Sequence, residues 1–174
     1  WTFINPLGDA SNYSMTGTQV AVSVPAGTVH DLWNANKNAV RLMQSATDTD
    51  FEIEIKLDSS ISAAYQIQGI IVEETYNDRF IRFDFTGDGT NTRVFAATFT
   101  LGSATVRTDV SLGVVAAPLY MRVKREGNNW TQSYSFDGST WTPMTTFTFA
   151  LTVNSVGIFA GNAGGTPPAQ TALF

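Results

Sequence analysis

The chain has 174 residues, of which 43% are hydrophobic and 14% charged, and its formal net charge is −5. This size and composition indicate a folded chain with a sizeable core rather than a disordered segment. Without cysteine or a cluster of Lys and Arg, no disulfide, Cys-ligated zinc or nucleic-acid partner is expected, and no apolar run is long enough for membrane insertion.

Alternation of apolar and polar residues with a period of two predicts short β-strands that each bury one face. The pattern occurs at residues 20–24, 51–58, 81–85, 119–124 and 130–136. Turn sequences such as Gly87-Asp88-Gly89 and Asp137-Gly138 separate these runs. No segment predicts a helix, and residues 35–44 are interpreted as a loop that enters a strand. Many short strands joined by turns are typical of an all-β sandwich or barrel.

Two sets of segments are similar to known sequences. Residues 1–10, 24–33 and 41–44 form the first set, which contains His30-Asp31-Leu32-Trp33. Residues 120–130, 134–141 and 159–165 form the second. Together they extend over nearly the whole chain and resemble a family of concanavalin-A-like lectin/glucanase domains, which are appended to bacterial secreted proteins and glycosidases.

The resemblance implies a two-sheet antiparallel β-sandwich of the jelly-roll type, in which one sheet is concave. It also implies a secreted or cell-surface location, with other domains of a parent protein as partners. Family members usually continue into a further strand that carries an acidic residue among aromatic ones, whereas this sequence ends at Phe174. The further strand is either cut off, disordered or supplied by another chain. Because no linker or break in composition divides the chain and it starts abruptly at Trp1, we expect residues 1–174 to form a single sandwich domain excised from a longer secreted protein.

Catalytic chemistry finds little support in the sequence. Glucanases of this fold use closely spaced carboxylates, and Glu52 and Glu54 share one strand face. Their alternation with apolar residues favours a structural strand with a solvated outer face. His30 is the only histidine, so a His-rich metal site is excluded and a Ser-His-Asp triad would depend on that residue alone. A jelly-roll lyase would need a proton-transferring histidine where Gln68 stands.

Calcium is the metal ion that the sequence leaves open, and no other cofactor is expected. Its oxygen ligands would come from loop carbonyls and from four aspartates, which are Asp9, Asp48, Asp50 and Asp88. Aspartates beside glycine also stabilise turns, so a purely structural role for these residues is the alternative.

The side-chain inventory fits a sugar site, because sugars pack their C–H faces on aromatic rings and bond planar polar groups through their hydroxyls. Arg82 and Asp84 face away from the buried positions 81, 83 and 85, toward either solvent or a groove. Trp33 lies in a polar segment, so a ligand platform and a core position are both open for it. The predicted groove has eight residues: His30, Asp31, Trp33, Arg41, Gln68, Arg82, Asp84 and Asn162.

Four further residues are secondary candidates for the sugar site: Gln44, Trp130, Gln132 and Tyr134. Trp130 and Trp141 flank the Asp137-Gly138 turn, so cross-strand packing is the alternative explanation for both tryptophans.

The leading hypothesis is a non-catalytic carbohydrate-binding module that holds a polysaccharide or another glycan in a concave groove. A structural or adhesive domain that binds another protein, through an open sheet edge for example, is the second hypothesis. A divergent glycosidase or polysaccharide lyase is the third. An open groove without a pair of facing carboxyl groups would favour the first.

Overall fold

The computed structural model describes residues 1–174, and almost all of its regular structure is β. The one helix is a single 3-10 turn, Thr75–Asn77, and no helix is long and apolar enough to span a bilayer. The strands in chain order are β1 (Thr2–Ile4), β2 (Asn12–Met15), β3 (Val20–Val24), β4 (Leu32–Trp33), β5 (Asn36–Lys37), β6 (Val40–Ser45), β7 (Phe51–Leu57), β8 (Gln66–Glu74), β9 (Arg79–Gly87), β10 (Thr92–Thr100), β11 (Ser103–Gly113), β12 (Leu119–Glu126), β13 (Asn129–Ser135), β14 (Thr142–Pro143), β15 (Phe147–Thr148), β16 (Ser155–Asn162) and β17 (Gln170–Leu173).

The strands form two layers, which confirms the predicted antiparallel β-sandwich. One layer is a seven-stranded sheet in the order β1-β6-β16-β8-β9-β10-β11. The other consists of a five-stranded sheet, β14-β13-β12-β7 with β15 beside β13, and a three-stranded sheet, β17-β3-β2. A fourth element, the β4–β5 hairpin, lies on the outer face of the seven-stranded sheet.

Two hydrophobic clusters fill the space between the layers. The larger packs the seven-stranded sheet on the five-stranded one, and its largest side chain is the fully buried Trp130. The smaller packs Val40 and Leu42 of β6 on Val22 and Val24 of β3. Both clusters use the same face of the seven-stranded sheet, since alternate residues of a strand point to the same side. The opposite, outer face of the seven-stranded sheet therefore presents a different set of side chains, on which the β4–β5 hairpin packs.

The central strands of the seven-stranded sheet are covered on both faces. Every residue of β8 is buried, which explains why Ile70, Ile71 and Val72 form an uninterrupted apolar run. In β9 the predicted alternation is present: Ile81, Phe83 and Phe85 join the larger cluster. At the other end of the chain, Gly161 and Asn162 belong to a Gly-rich stretch but are still paired in β16.

Candidate functional site

A cleft of about 350 Å³ lies on the outer face of the seven-stranded sheet. This volume is within the range of small-molecule sites, which is roughly 300–1,000 Å³. Strands β8 to β11 supply its floor, and the β4–β5 hairpin and Tyr65 stand beside it. Twelve residues line it: Asp31, Trp33, Tyr65, Ile67, Arg82, Thr86, Gly87, Asp88, Arg93, Phe95, Asp109 and Ala163.

Strand register brings the floor residues together. Asp84 of β9 pairs with Gly69 of β8 on one side and with Phe95 of β10 on the other, and Phe95 pairs with Asp109 of β11. Gly69 leaves room for this row, because a Cβ at that position would lie 2.9 Å from the Asp84 Cβ. The floor therefore combines the Phe95 ring with the Asp109 carboxylate of the next strand, and the buried Asp84 lies behind it.

Arg82 connects this floor to the hairpin above it. Its Nε and Nη2 donate to the two carboxylate oxygens of Asp84, at 2.6 and 3.1 Å. Its Nη1 donates to Asp31 Oδ1 at 3.1 Å and to the Leu32 carbonyl at 3.0 Å. The guanidinium also lies 5.0 Å from the centre of the Phe95 ring, a cation–π distance. With 4% exposure, Arg82 is a buried anchor for the hairpin.

Burial and ion pairing have opposite effects on the pKa values of Arg82 and Asp84. Burial raises the pKa of Asp84, and the Arg82 guanidinium opposes that rise. Burial favours the neutral form of Arg82, but its two aspartate partners keep its pKa above the ordinary value, so it stays charged. A charged guanidinium with three acceptors makes the hairpin position well defined.

Trp33 forms one wall of the cleft. It lies near the tip of the β4–β5 hairpin, where Asn34 takes a left-handed conformation with φ 52°. The half-buried indole packs against Phe95 and Phe99, with ring centres 6.0 Å apart in both cases. Its ring nitrogen makes no hydrogen bond within the protein, in contrast to that of the buried Trp130, which bonds the Phe149 carbonyl. Trp33 is thus fixed by packing while its N–H stays available.

Tyr65 is a second aromatic side chain at the cleft, and its backbone is strained. Its φ of 63° is in the left-handed region, which is unusual for a bulky residue. Two backbone bonds hold it: its N–H donates to Gly87, and its carbonyl accepts from Ala163. Its ring lies against Gly164, where a Cβ would come within 2.7 Å of Tyr65 Cδ2. The residue is 54% exposed, so Tyr65 combines a left-handed backbone with a solvent-accessible side chain.

Charged side chains form the remaining rim. Arg93 Nε donates to Asp109 Oδ1 at 2.7 Å, and its Nη1 donates to Asp88 Oδ2 at 3.4 Å. Asp88 also accepts from the backbone N–H groups of Asn91 and Thr90, and these bonds lower its pKa from 3.8 to about 2. The second carboxylate oxygens of Asp31 and Asp109 accept no hydrogen bond from the protein. The cleft thus offers free acceptors beside aromatic rings.

Four of the eight predicted groove residues meet at this place. Asp31, Trp33 and Arg82 line the cleft, and Asp84 lies directly behind its floor with no exposed surface. The prediction that Arg82 and Asp84 face a groove or solvent has to be refined, since the pair is buried beneath the hairpin. Its ligand role can only be indirect, through the position of Asp31 and the hairpin.

His30 and Asn162 lie outside the cleft and are wrong as ligand contacts. Both are fully buried. Asn162 Oδ1 accepts from the His30 N–H at 2.8 Å, and its amide group donates to the Pro25 and Pro168 carbonyls. His30 Nε2 is 2.9 Å from Asp9 Oδ2 and 3.1 Å from Ser11 Oγ. These two residues join loops at one end of the sandwich, and no polar atom of theirs faces solvent.

Arg41 and Gln68 are also structural. Gln68 points into the space between the layers, where it bonds Ser59 and Gln170, because position 68 shares the inward face of Ile70 and Val72. Arg41 is 7% exposed and donates to the Ala39 carbonyl. Neither side chain reaches the cleft.

The secondary candidates are dispersed as well. Trp130 and Gln132 are fully buried, and Gln132 donates to the Phe95 carbonyl from beneath the floor. Tyr134 packs on the larger core cluster and on Phe136. Gln44 is exposed but lines a separate depression beside Phe51 and Ile53. Cross-strand and core packing, the alternative raised for Trp130, accounts for its position.

Several cleft residues escaped the sequence analysis. Phe95, Arg93 and Asp109 come from β10 and β11, and only sheet register brings them to the same face as Arg82. Residues 93–99 are mostly apolar and show no alternation that would assign their side chains to one face. Nothing in the sequence signals the left-handed conformation of Tyr65.

The carboxylates considered for catalysis and calcium are not assembled into sites. Glu52 and Glu54 lie on the exposed face of the five-stranded sheet, where both pair with Arg122. Each of the aspartates considered for calcium has different hydrogen-bond partners within the protein: Asp9 bonds Ser11 and His30, Asp48 bonds Arg125, Asp50 bonds Gly127, and Asp88 bonds Thr90 and Asn91. No group of three metal-ligating side chains comes together.

No protein-family model and no curated protein matches the chain. Its fold is similar to that of a functionally unknown protein from Saccharomyces cerevisiae, with a TM-score of 0.78, 17% identity, and coverage of 99% of this chain and 91% of that one. It is also similar to the CBM2 module of the evolved Dit protein of Lactobacillus casei BL23 phage J-1, with a TM-score of 0.67, 6% identity, and coverage of 93% and 76%.

A third similar structure is a xylan β-1,4-xylosidase from Bacillus halodurans C-125, with a TM-score of 0.63 and 12% identity. The match covers 88% of this chain but only 31% of the xylosidase, so the likeness concerns one part of that enzyme. At these identities the comparisons establish the fold alone: the chain is a β-sandwich.

Proposed function

We propose that the protein is a carbohydrate-binding module that holds a glycan in the cleft between Trp33, Tyr65 and Phe95. The observation that carries the proposal is the combination of these aromatic rings with carboxylate oxygens that have no protein donor. A sugar would pack its C–H face on the rings while its hydroxyls donate to Asp31 and Asp109.

The absence of an assembled acid–base pair supports a binding role without chemistry. Asp84 has both oxygens bonded to Arg82, and the single histidine is sealed in the loop network of Asp9 and Ser11. Glycoside hydrolysis needs one carboxyl group as a proton donor and another as a nucleophile or base. Asp31 and Asp109 each keep a free oxygen, but the other oxygen of each accepts from a guanidinium, so neither side chain is an unpaired carboxyl group.

The open cleft also favours glycan binding over an adhesive domain, for which a filled groove would be expected. The similarity to the CBM2 module and to one part of the xylosidase supports the proposal. In this setting the domain would be appended to a larger secreted or surface protein, which it keeps close to a polysaccharide.

The test is a binding screen of the purified domain on plant, algal and microbial polysaccharides, with product analysis for every polymer that binds. Saturable binding without released oligosaccharides is the expected result. Release of oligosaccharides would overturn the non-catalytic role and direct attention to Asp31 and Asp109. Binding to no polymer would contradict the proposal and leave the adhesive role as the better hypothesis.

A further inference from the structure

The guanidinium hydrogen-bond donors at the cleft are already engaged within the protein. Arg82 uses Nε and Nη2 on Asp84 and Nη1 on Asp31 and the Leu32 carbonyl. Arg93 uses Nε on Asp109 Oδ1, Nη2 on the Asp109 carbonyl and Nη1 on Asp88. A carboxylate ligand is normally bound by two parallel N–H groups of one guanidinium. Neither arginine has such an edge free.

In contrast to the engaged donors, the carboxylates at the cleft outnumber the guanidinium groups that could neutralise them. Three carboxylates, those of Asp31, Asp88 and Asp109, and two guanidinium groups line the cleft, so its lining has a net charge of −1. Asp84 lies directly behind the floor and makes the local excess of negative charge larger. Burial is the main cause of the raised pKa of Asp84, and the charges of Asp31 and Asp109 raise it further, which is the effect of a negative field.

We propose that the cleft selects glycan units without negative charge, and that it discriminates against uronic-acid and sulfated sugars. The inference rests on the proposed function and specifies the class of ligand for the same site. A neutral sugar hydroxyl donates a charge-assisted hydrogen bond to Asp31 or Asp109. An anionic group would lose its hydration beside like charges and find no free guanidinium. The affinity for acidic sugars is therefore lower than that for neutral ones.

The experiment compares three matched pairs of polymers by affinity electrophoresis: xylan and glucuronoxylan, methyl-esterified and de-esterified polygalacturonan, and hydroxyethylcellulose and carboxymethylcellulose. Within any pair that binds, we expect the neutral polymer to bind at least about tenfold more tightly than the acidic one, the size of effect that a close like charge produces. Added salt should narrow the difference, because it screens the repulsion.

Two variants separate the effect of the charge at the cleft on polymer binding from the effect of the charge of the whole protein. Asp109→Asn removes a negative charge from the rim and leaves the positive charge of Arg93 without its carboxylate partner, so the acidic polymer should gain affinity relative to the neutral one. Glu54→Gln removes the same charge from the exposed face of the five-stranded sheet and should leave the ratio unchanged.

The outcomes distinguish this inference from the proposed function. Equal or tighter binding of the acidic polymers overturns the inference alone, since a glycan is still bound. If Asp109→Asn and Glu54→Gln change the ratio of the affinities for the neutral and the acidic polymer equally, the inference is also overturned, because the selectivity would then come from the overall charge of the protein. Binding of none of the six polymers and of no glycan in the wider screen overturns both proposals.

Discussion

Arg82 and Asp84 form a doubly hydrogen-bonded ion pair beneath the cleft, with Arg82 Nε 2.6 Å from Asp84 Oδ2 and Nη2 3.1 Å from Oδ1. The same guanidinium bonds Asp31 and Leu32 of the overlying segment. The pair therefore joins the sheet to the hairpin that carries Trp33. Its role is to hold the aromatic wall in place, and its charge is not available to a ligand.

Loss of Arg82 should destabilise the fold. Arg82→Met leaves the fully buried Asp84 carboxylate without a partner, for which we expect a loss of about 3–5 kcal/mol in the free energy of unfolding. The double variant Arg82→Met, Asp84→Leu removes both charges and should recover much of this loss. Urea denaturation of the two variants measures both values. A single variant as stable as the wild type would show that the ion pair is not a structural anchor.

Trp33 should contribute binding energy with little effect on the fold. Trp33→Ala removes the half-buried indole from the cleft wall, and the loss of the aromatic contact should weaken glycan binding by about 10- to 100-fold, or roughly 1.5–3 kcal/mol. Isothermal titration calorimetry with a polymer from the screen measures the change. Trp141→Ala is the matched control, because Trp141 stacks on Arg122 on the other side of the sandwich. Equal losses in the two variants would argue against the cleft.

Gly164 should affect glycan binding because it determines the position of the Tyr65 ring. Gly164 has a φ of +91°, and a Cβ there would lie 2.7 Å from the Tyr65 ring. Gly164→Ala should cost about 1–2 kcal/mol of stability for the left-handed backbone and should also displace Tyr65, so that glycan binding weakens several-fold. Gly165→Ala places its methyl group in open space and should change neither quantity. The idea fails if the two variants behave alike in thermal denaturation and in binding.

Two aspartates in turns should make the fold sensitive to acid. Backbone N–H bonds from Asn91 and Thr90 lower the pKa of Asp88 from 3.8 to about 2, and bonds from Thr140 and Ser139 lower that of Asp137. A pKa that is lower in the folded chain adds stability at pH values above the ordinary 3.8, and this stability is lost as the pH falls toward about 2.

The variant Asp137→Asn removes one of these titrating groups, so its unfolding midpoint should depend less on pH between about 4 and 2 than that of the wild type. Urea midpoints at a series of pH values give the comparison. An identical pH dependence in the two proteins would contradict the assigned role of Asp137.

The sandwich could be predicted from alternation because its outer strands bury one face only. Residues 51–57 alternate apolar and charged side chains and form β7, whose exposed side carries Glu52 and Glu54. The same reasoning could not orient Gln68. In β8 both faces are buried, so the sequence contains no contrast between an inner and an outer side.

The cleft could be predicted only in part. Asp31 and Trp33 stood out as neighbours in a polar segment, and Arg82 and Asp84 as a pair facing away from the core. Their companions on β10 and β11 depend on strand register, which arises from the whole sheet and from the bulge between Ala96 and Ala97. His30 and Asn162 carried the right chemistry for a sugar, but loop packing buried them, and local sequence does not report such burial.

The account is tested most directly by the indole N–H signals in the NMR spectrum during titration with a glycan from the screen. The chain has four tryptophans, Trp1, Trp33, Trp130 and Trp141, so four signals can be assigned by single Trp→Phe variants. A saturable shift that is largest for Trp33, with Trp130 and Trp141 unchanged, is the predicted result. A shift at Trp141 or Trp1 with Trp33 unaffected would show that the glycan binds elsewhere and would contradict the assignment of the cleft.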